Sequence, residues 1–448
     1  MIYRLNETHD CKLRSWVESA NAPGCDFPVQ NLPYGVFRRR GSIEDFRIGI
    51  AIGAQILDLR KAYAAGAFDD ADDLTLLAIE AARATTLNEL MALGTDAWQA
   101  LRLALSRLLR DASPAQVTLR QALLPQDEAE YSLPTTIGDC IDFRTAIHDA
   151  TAAGSPFQPD APLQTNTNDK EVPPGYHEHA SSIGISGQDV RRPIRQIKAA
   201  DQNIPSLAPS AQLDFELEVG ILIGSGNAPG KPVPIDEAES KIFGLCLLND
   251  WSAHDTQAWE NQPPGSMPSQ NVATTISPWI VTLDALTPFR TPWSHRTGEP
   301  LALAYLDSVA TRSFAGLDID LEVLLQTAQM REQNEAPQRL SRSNFRHAYW
   351  SVSQLVTHHT FSGCNLQAGD LLASGAQPGP PPAEAGSLLE LSNGGRKPLV
   401  LNNGEQRTFL ADGDTVVLRA WADKAGFARI GFGEARGTVV EANLGLLD

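Results

Sequence analysis

Four carboxylates carry the chemistry open to this sequence. Asp142 precedes Phe143, Glu216 and Glu218 flank Leu217, and Asp250 stands between Asn249 and Trp251. The stretch from Asp214 to Gly220 alternates as a strand does, so Phe215, Leu217 and Val219 share one face while Glu216 and Glu218 share the other. Two anions about 7 Å apart on one face repel each other unless something neutralises them. A hard divalent cation with oxygen ligands is the simplest neutraliser.

The elements that must position these residues are mainly strands. Short β-like segments run from Phe46 to Ile52 and from Gln55 to Leu59, and the Ala- and Leu-rich stretch from Leu74 to Leu109 reads as helical. Beyond Pro134, strands are expected at Leu213–Ile223, Trp279–Leu283, Leu301–Tyr305, Leu317–Leu325 and Thr415–Ala420, separated by Gly, Pro and Asn turns. Asn344 to Thr360 reads as a helix that Asn344 could cap. The fold class is therefore α+β and mostly β.

A chain of 448 residues is long enough for two or three domains with a substantial core. Its formal charge of −18 argues against nucleic-acid binding and against docking on anionic membranes. Five scattered cysteines without CxxC spacing suggest neither a zinc site nor a disulfide framework. No apolar run near the N-terminus reads as a signal peptide or membrane span, so a cytoplasmic protein acting on a small molecule is expected.

The same segments resemble the fumarylacetoacetase family. The resemblance runs through Asp26-Phe-Pro-Val-Gln-Asn-Leu-Pro-Tyr-Gly-Val-Phe37, Gly175-Tyr-His177, Asn249-Asp-Trp-Ser-Ala253 and Thr274-Thr-Ile-Ser-Pro-Trp279. It continues through Leu355-Val-Thr-His-His359, Gly369-Asp-Leu-Leu-Ala-Ser-Gly375 and Arg429-Ile-Gly-Phe-Gly433, and so covers nearly the whole chain. It implies an extension over residues 1–25, a small SH3-like barrel with helices over 26–125, and a mixed β-roll catalytic domain over 126–448. It further implies a homodimer that binds Mg2+ or Ca2+ through Asp142, Glu216, Glu218 and Asp250 and cleaves a carbon–carbon bond of a 1,3-dicarbonyl.

Several pocket positions depart from the family pattern. The general-base His falls on Asp149, with His148 one residue earlier, and Glu390 matches the Glu that orients that His. A substrate-gripping Arg falls on Gln158 and a carbanion-stabilising Lys on Gln270. Two substrate-facing Tyr positions read Arg144 and Asn261, and a Thr reads Ala376, whereas Tyr176 and Gln257 are kept. His254, where the family often has Arg, is a second candidate proton shuttle. Asp is a weak base unless burial or neighbouring anions raise its pKa, and Gln cannot replace the charge of Arg or Lys.

These substitutions favour recruitment to non-hydrolytic enolate chemistry: decarboxylation, tautomerisation, dehydration or cyclisation of a bulkier, polyketide-like substrate. A genuine fumarylacetoacetase of tyrosine breakdown with a substitute base is the alternative. A catalytically silent ligand-binding homologue is a third, against which the retained carboxylates argue.

Overall fold

The computed structural model describes residues 3–146, 170–198, 204–260, 272–293 and 302–446. The chain is α+β and mostly β, as expected: a small SH3-like N-terminal part precedes a mixed β-roll. The N-terminal part is a five-stranded sheet in which Tyr34–Arg39 lies between Arg47–Ile52 and Ala129–Ser132, with Gln55–Asp58 and Leu123–Pro125 completing it. Helices Asp73–Ala81, Asn88–Ala92 and Thr95–Leu109 divide the long helical stretch expected there. Gly94, at φ +89°, separates the last two.

The sheet that matters for chemistry has eight strands. Along its main path Gly175–Glu178 pairs with Cys140–Phe143, then come Leu371–Ala373, Leu213–Ile223, Ile242–Ala253, Ala273–Ile276 and Ile183–Ile185. The first and last strands of that path, ending at Glu178 and starting at Ile183, are joined by the single turn Ala180–Ser182. In a flat sheet six strand spacings would set them about 29 Å apart, whereas five residue steps reach about 18 Å at most. The sheet must therefore curl until its two edges nearly meet, and a Thr274 hydroxyl 3.4 Å from the Glu178 carboxylate marks the seam.

Curling gives the sheet an inside and an outside. Phe215, Leu217, Val219, Ile221 and Trp251 point outward into a core shared with a second sheet, through Leu321, Val323, Leu418 and Phe432. The inner face is polar at one end and apolar at the other. Asp142 is followed along the same face by Cys140, Asp250 by Leu248 and Cys246, Glu218 by Leu222, and Thr274 by Ile276. The apolar end packs against the N-terminal part, where Phe243 meets the edge of Trp98 with ring centroids 5.2 Å apart. Each aliphatic side chain buried there contributes about 1.5–3 kcal/mol.

Four expectations need correction. Residues 338–344 form a strand paired with Asp320–Gln326, so Asn344 ends a strand and caps only the short turn Phe345–His347. The helix begins later, at Val352, and runs to Phe361. Ser351 and Gln354 make a reciprocal capping box there, a stronger start signal than a lone Asn. The strand expected at Leu301–Tyr305 is a turn over Ala304–Leu306 among the described residues. Trp279–Leu283 shortens to the two-residue strand Val281–Thr282. Sheet pairing overrode local pattern in the first case, and too few alternating residues stood behind the last two. Ser351→Ala is expected to lower stability by about 1 kcal/mol, seen as a lower urea midpoint at an unchanged slope.

Candidate metal centre and active site

The polar end of the inner face gathers five acids from four strands. Glu216 lies directly opposite Asp250 across the central strand pair, and Glu218 is two residues along the same face. Asp142 arrives on the neighbouring parallel strand, opposite Ala373. The fifth is Glu178, from the edge strand that curls round to the seam. One oxygen each of Asp142, Glu178 and Asp250 lies within 4.8 Å of the others.

These groups are deeply placed: Asp142 is 5%, Asp250 3% and Glu218 0% exposed. Burial, reinforced by the neighbouring anions, pushes the Asp142 carboxyl up to about 7 and Glu178 to about 8. The same two causes hold Glu218 and Asp250 well above the ordinary carboxylate range. The Tyr176 hydroxyl donates to Asp142 and partly opposes the rise, as does the charge of the exposed Arg144. Burial and the surrounding carboxylates raise Tyr176 itself.

The acids differ in how far protein donors satisfy them. Glu216 accepts the Ser252 hydroxyl at 2.7 Å. Glu218 accepts the Gly375 amide through Oε2 at 3.1 Å. Gly375 is at φ +70°, and a Cβ there would lie 2.2 Å from the Phe143 carbonyl oxygen, so only glycine can present that amide. Oδ1 of Asp142, Oε1 of Glu178, Oε1 of Glu218 and Oδ1 of Asp250 are buried without a hydrogen-bond donor among the described residues. Such an oxygen costs free energy unless a cation or proton meets it. Donor-free carboxylate oxygens of this kind, with those of Asp142, Glu178 and Asp250 gathered within 4.8 Å, fit a hard divalent cation and fit poorly a metal that prefers nitrogen or sulfur.

Asp214 is the instructive contrast. It lies on the same strand face as Glu216 and Glu218, yet its oxygens are saturated. They accept the amides of Phe215, Leu388 and Leu389 at 2.7–2.8 Å and face His254 Nε2 at 3.0 Å. His254 also meets the Gln257 side chain through Nδ1 at 3.2 Å. Burial disfavours the charged ring, but Asp214 outweighs it and holds the His254 pKa above its usual value. Asp214 thereby ties the helix His254–Glu260, which carries Gln257, to the short helix Leu388–Leu391, which carries Glu390.

The structure thus brings Asp142, Glu216, Glu218, Asp250 and Tyr176 together, with Arg144 acting on Asp142 through its charge. His254 and Gln257 sit alongside, linked to the cluster by the charge of Glu216 on His254. Glu390 accepts the Gly386 amide at 2.6 Å, and Ala376 follows the strand Leu371–Ala373 beside Gly386. His148, Asp149, Gln158, Asn261 and Gln270 lie outside the described residues. Sequence reasoning overlooked Glu178 and Asp214. Both carried a signal: Glu178 is two residues from Tyr176 on a strand, and Asp214 two residues before Glu216.

Metal-free protein should lose stability as pH rises. Between about pH 4 and 8 the folded site keeps protons on Asp142 and Glu178 that the unfolded chain has released, so the unfolding free energy falls across that window. Melting in EDTA is expected at a lower temperature at pH 8 than at pH 5.5. Adding Ca2+ or Mg2+ should raise the melting temperature more at the higher pH.

Comparison with known proteins places this geometry in a family. Residues 30–134 match the model described as "Fumarylacetoacetase N-terminal", and residues 149–440 match "Fumarylacetoacetate (FAA) hydrolase C-terminal". The chain is 42% identical over 437 residues to a fumarylacetoacetase of Oryza sativa subsp. japonica, covering 96% of this chain and 98% of the relative. It is 41% identical over 433 residues to a fumarylacetoacetase of Homo sapiens, covering 94% and 98%. Among solved structures, a fumarylacetoacetate hydrolase from psychrophilic Exiguobacterium antarcticum aligns at 16% identity and TM-score 0.48, over 92% of this chain and 100% of that one. The chain belongs to the fumarylacetoacetase family.

Proposed function

We propose that this protein is a divalent-cation-dependent hydrolase that cleaves a carbon–carbon bond of a 1,3-dicarbonyl acid, with fumarylacetoacetate the first substrate to test. The observation that carries this reading is the buried carboxylate cluster with donor-free oxygens on Asp142, Glu218 and Asp250. The relatives named fumarylacetoacetase, similar over nearly their whole length, support the same choice of reaction.

Asp142, Glu216, Glu218 and Asp250 would hold the cation, Mg2+ or Ca2+. When bound it supplies Lewis acidity to the oxygens of a chelating substrate. Tyr176 orients Asp142, and Gln257, fixed by His254, offers an amide to the substrate. Water activation falls to Asp149 or His148, with Glu390 as the partner carboxylate by resemblance. His254 has both ring nitrogens engaged, so its part is to hold Gln257 and Asp214 in place.

A second reading, non-hydrolytic enolate chemistry on a less anionic substrate, draws on specific positions. Gln158 and Gln270 stand where the family resemblance implies cations, and Glu178 adds a negative charge to the cluster. The two readings separate in one assay. Purified protein mixed with fumarylacetoacetate and Mg2+ or Ca2+ is expected to remove the β-diketone absorbance, and Asp250→Ala should lower kcat/KM by about 100-fold or more. Asp149→His should leave that activity similar or raise it. No loss of absorbance from protein that binds the cation would favour the second reading.

A further inference from the structure

Glu178 is the acid that neither the strand alternation around Glu216 nor the family resemblance singles out. Its backbone position opposite Cys140, on the strand paired with that of Asp142, sets its side chain on the same inner face as Asp142 and Tyr176, and the curl of the sheet brings it to Asp250 and Thr274. We propose that Glu178 is a direct ligand of the cation, and that this fifth carboxylate gives the centre the oxygen count of a Ca2+ site. The proposal rests on the metal-dependent reading above.

Three observations carry it. Oxygens of Asp142, Glu178 and Asp250 lie no more than 4.8 Å apart, about twice a Ca–O bond, so one ion can touch all three. Among the described residues, protein donors hold Glu178 weakly: Oε2 has the Thr274 hydroxyl at 3.4 Å, and Oε1 has no donor. Among the described residues no Lys or Arg pairs with it, while Asp142 and Asp250, each at least 95% buried, leave a donor-free oxygen in the same cluster. The count then bears on the choice of cation. If Glu216 and Glu218 join these three, five carboxylates plus two oxygens of a chelating substrate exceed the six positions that Mg2+ holds rigidly and fall within the six to eight that Ca2+ accepts.

The test is calorimetric titration of metal-stripped full-length protein with Ca2+ and with Mg2+, for the wild type, Glu178→Gln and Glu178→Asp. Glu178→Gln removes the charge at constant shape, whereas Glu178→Asp keeps the charge and withdraws it by one methylene. The wild type is expected to bind Ca2+ at least about tenfold more tightly than Mg2+. Both variants should lose about tenfold or more in Ca2+ affinity and much less for Mg2+. Loss in Glu178→Gln alone would mean that the charge acts only through space, and would overturn direct ligation. Unchanged Ca2+ affinity in both variants would overturn the assignment of Glu178 while leaving the metal-dependent reading standing. A wild type that binds neither cation would overturn both.

Discussion

Mutual repulsion among Asp142, Glu178, Glu216, Glu218 and Asp250 is the constraint to which the rest of the molecule answers. Carboxylates packed this closely away from water favour protons or a cation over their own charge. Asp142, Glu216, Glu218 and Asp250 stay together because each is fixed by a strand whose other residues are deeply buried, whereas Glu178 comes from the more exposed strand Gly175–Glu178. The inner face of the curled sheet turns apolar within two to four residues of Asp142, Glu218 and Asp250, and the outer face is locked into the main core. The hydrophobic framework offsets the electrostatic cost of holding the acids close, and the site therefore depends on packing well outside its own contacts.

Closely similar acids end with different duties because of the backbone they face. Asp214, Glu216 and Glu218 share one strand face, yet Asp214 lies under the first amides of the helix Leu388–Leu391 and is consumed by them. Glu218 meets one amide from a glycine in a left-handed turn, which leaves its second oxygen without a donor. Position on the strand groups the acids, and the elements laid over the strand sort structural ones from those available to a cation.

Much of this was legible in the sequence. The alternation from Asp214 to Gly220 is local, and so the common face of Glu216 and Glu218 needed no tertiary information. Asp142 and Asp250 came from short motifs, and the mostly-β class from the spacing of turns. What was not legible depends on closure of the sheet. Glu178 lies on the strand paired with that of Asp142, but it meets Thr274 and Asp250 across a seam between strands far apart along the sheet order, and the local sequence marks only the face it shares with Tyr176. The helix start was misplaced for a related reason, since Asn344 is claimed by a strand pairing with a distant partner before it can cap a helix.

The seam also gives the cluster a mechanical meaning. Among the described residues Gly175–Glu178 is hydrogen-bonded along one side only, and the turn Ala180–Ser182 links it to the strand at the opposite margin of the same sheet. Open strand margins attract foreign strands and fray first. An ion shared by Glu178 on one margin and Asp142 and Asp250 on strands further in would act as a clasp, drawing the cylinder shut where the backbone ladder stops. Loading the centre would then set how readily this margin frays.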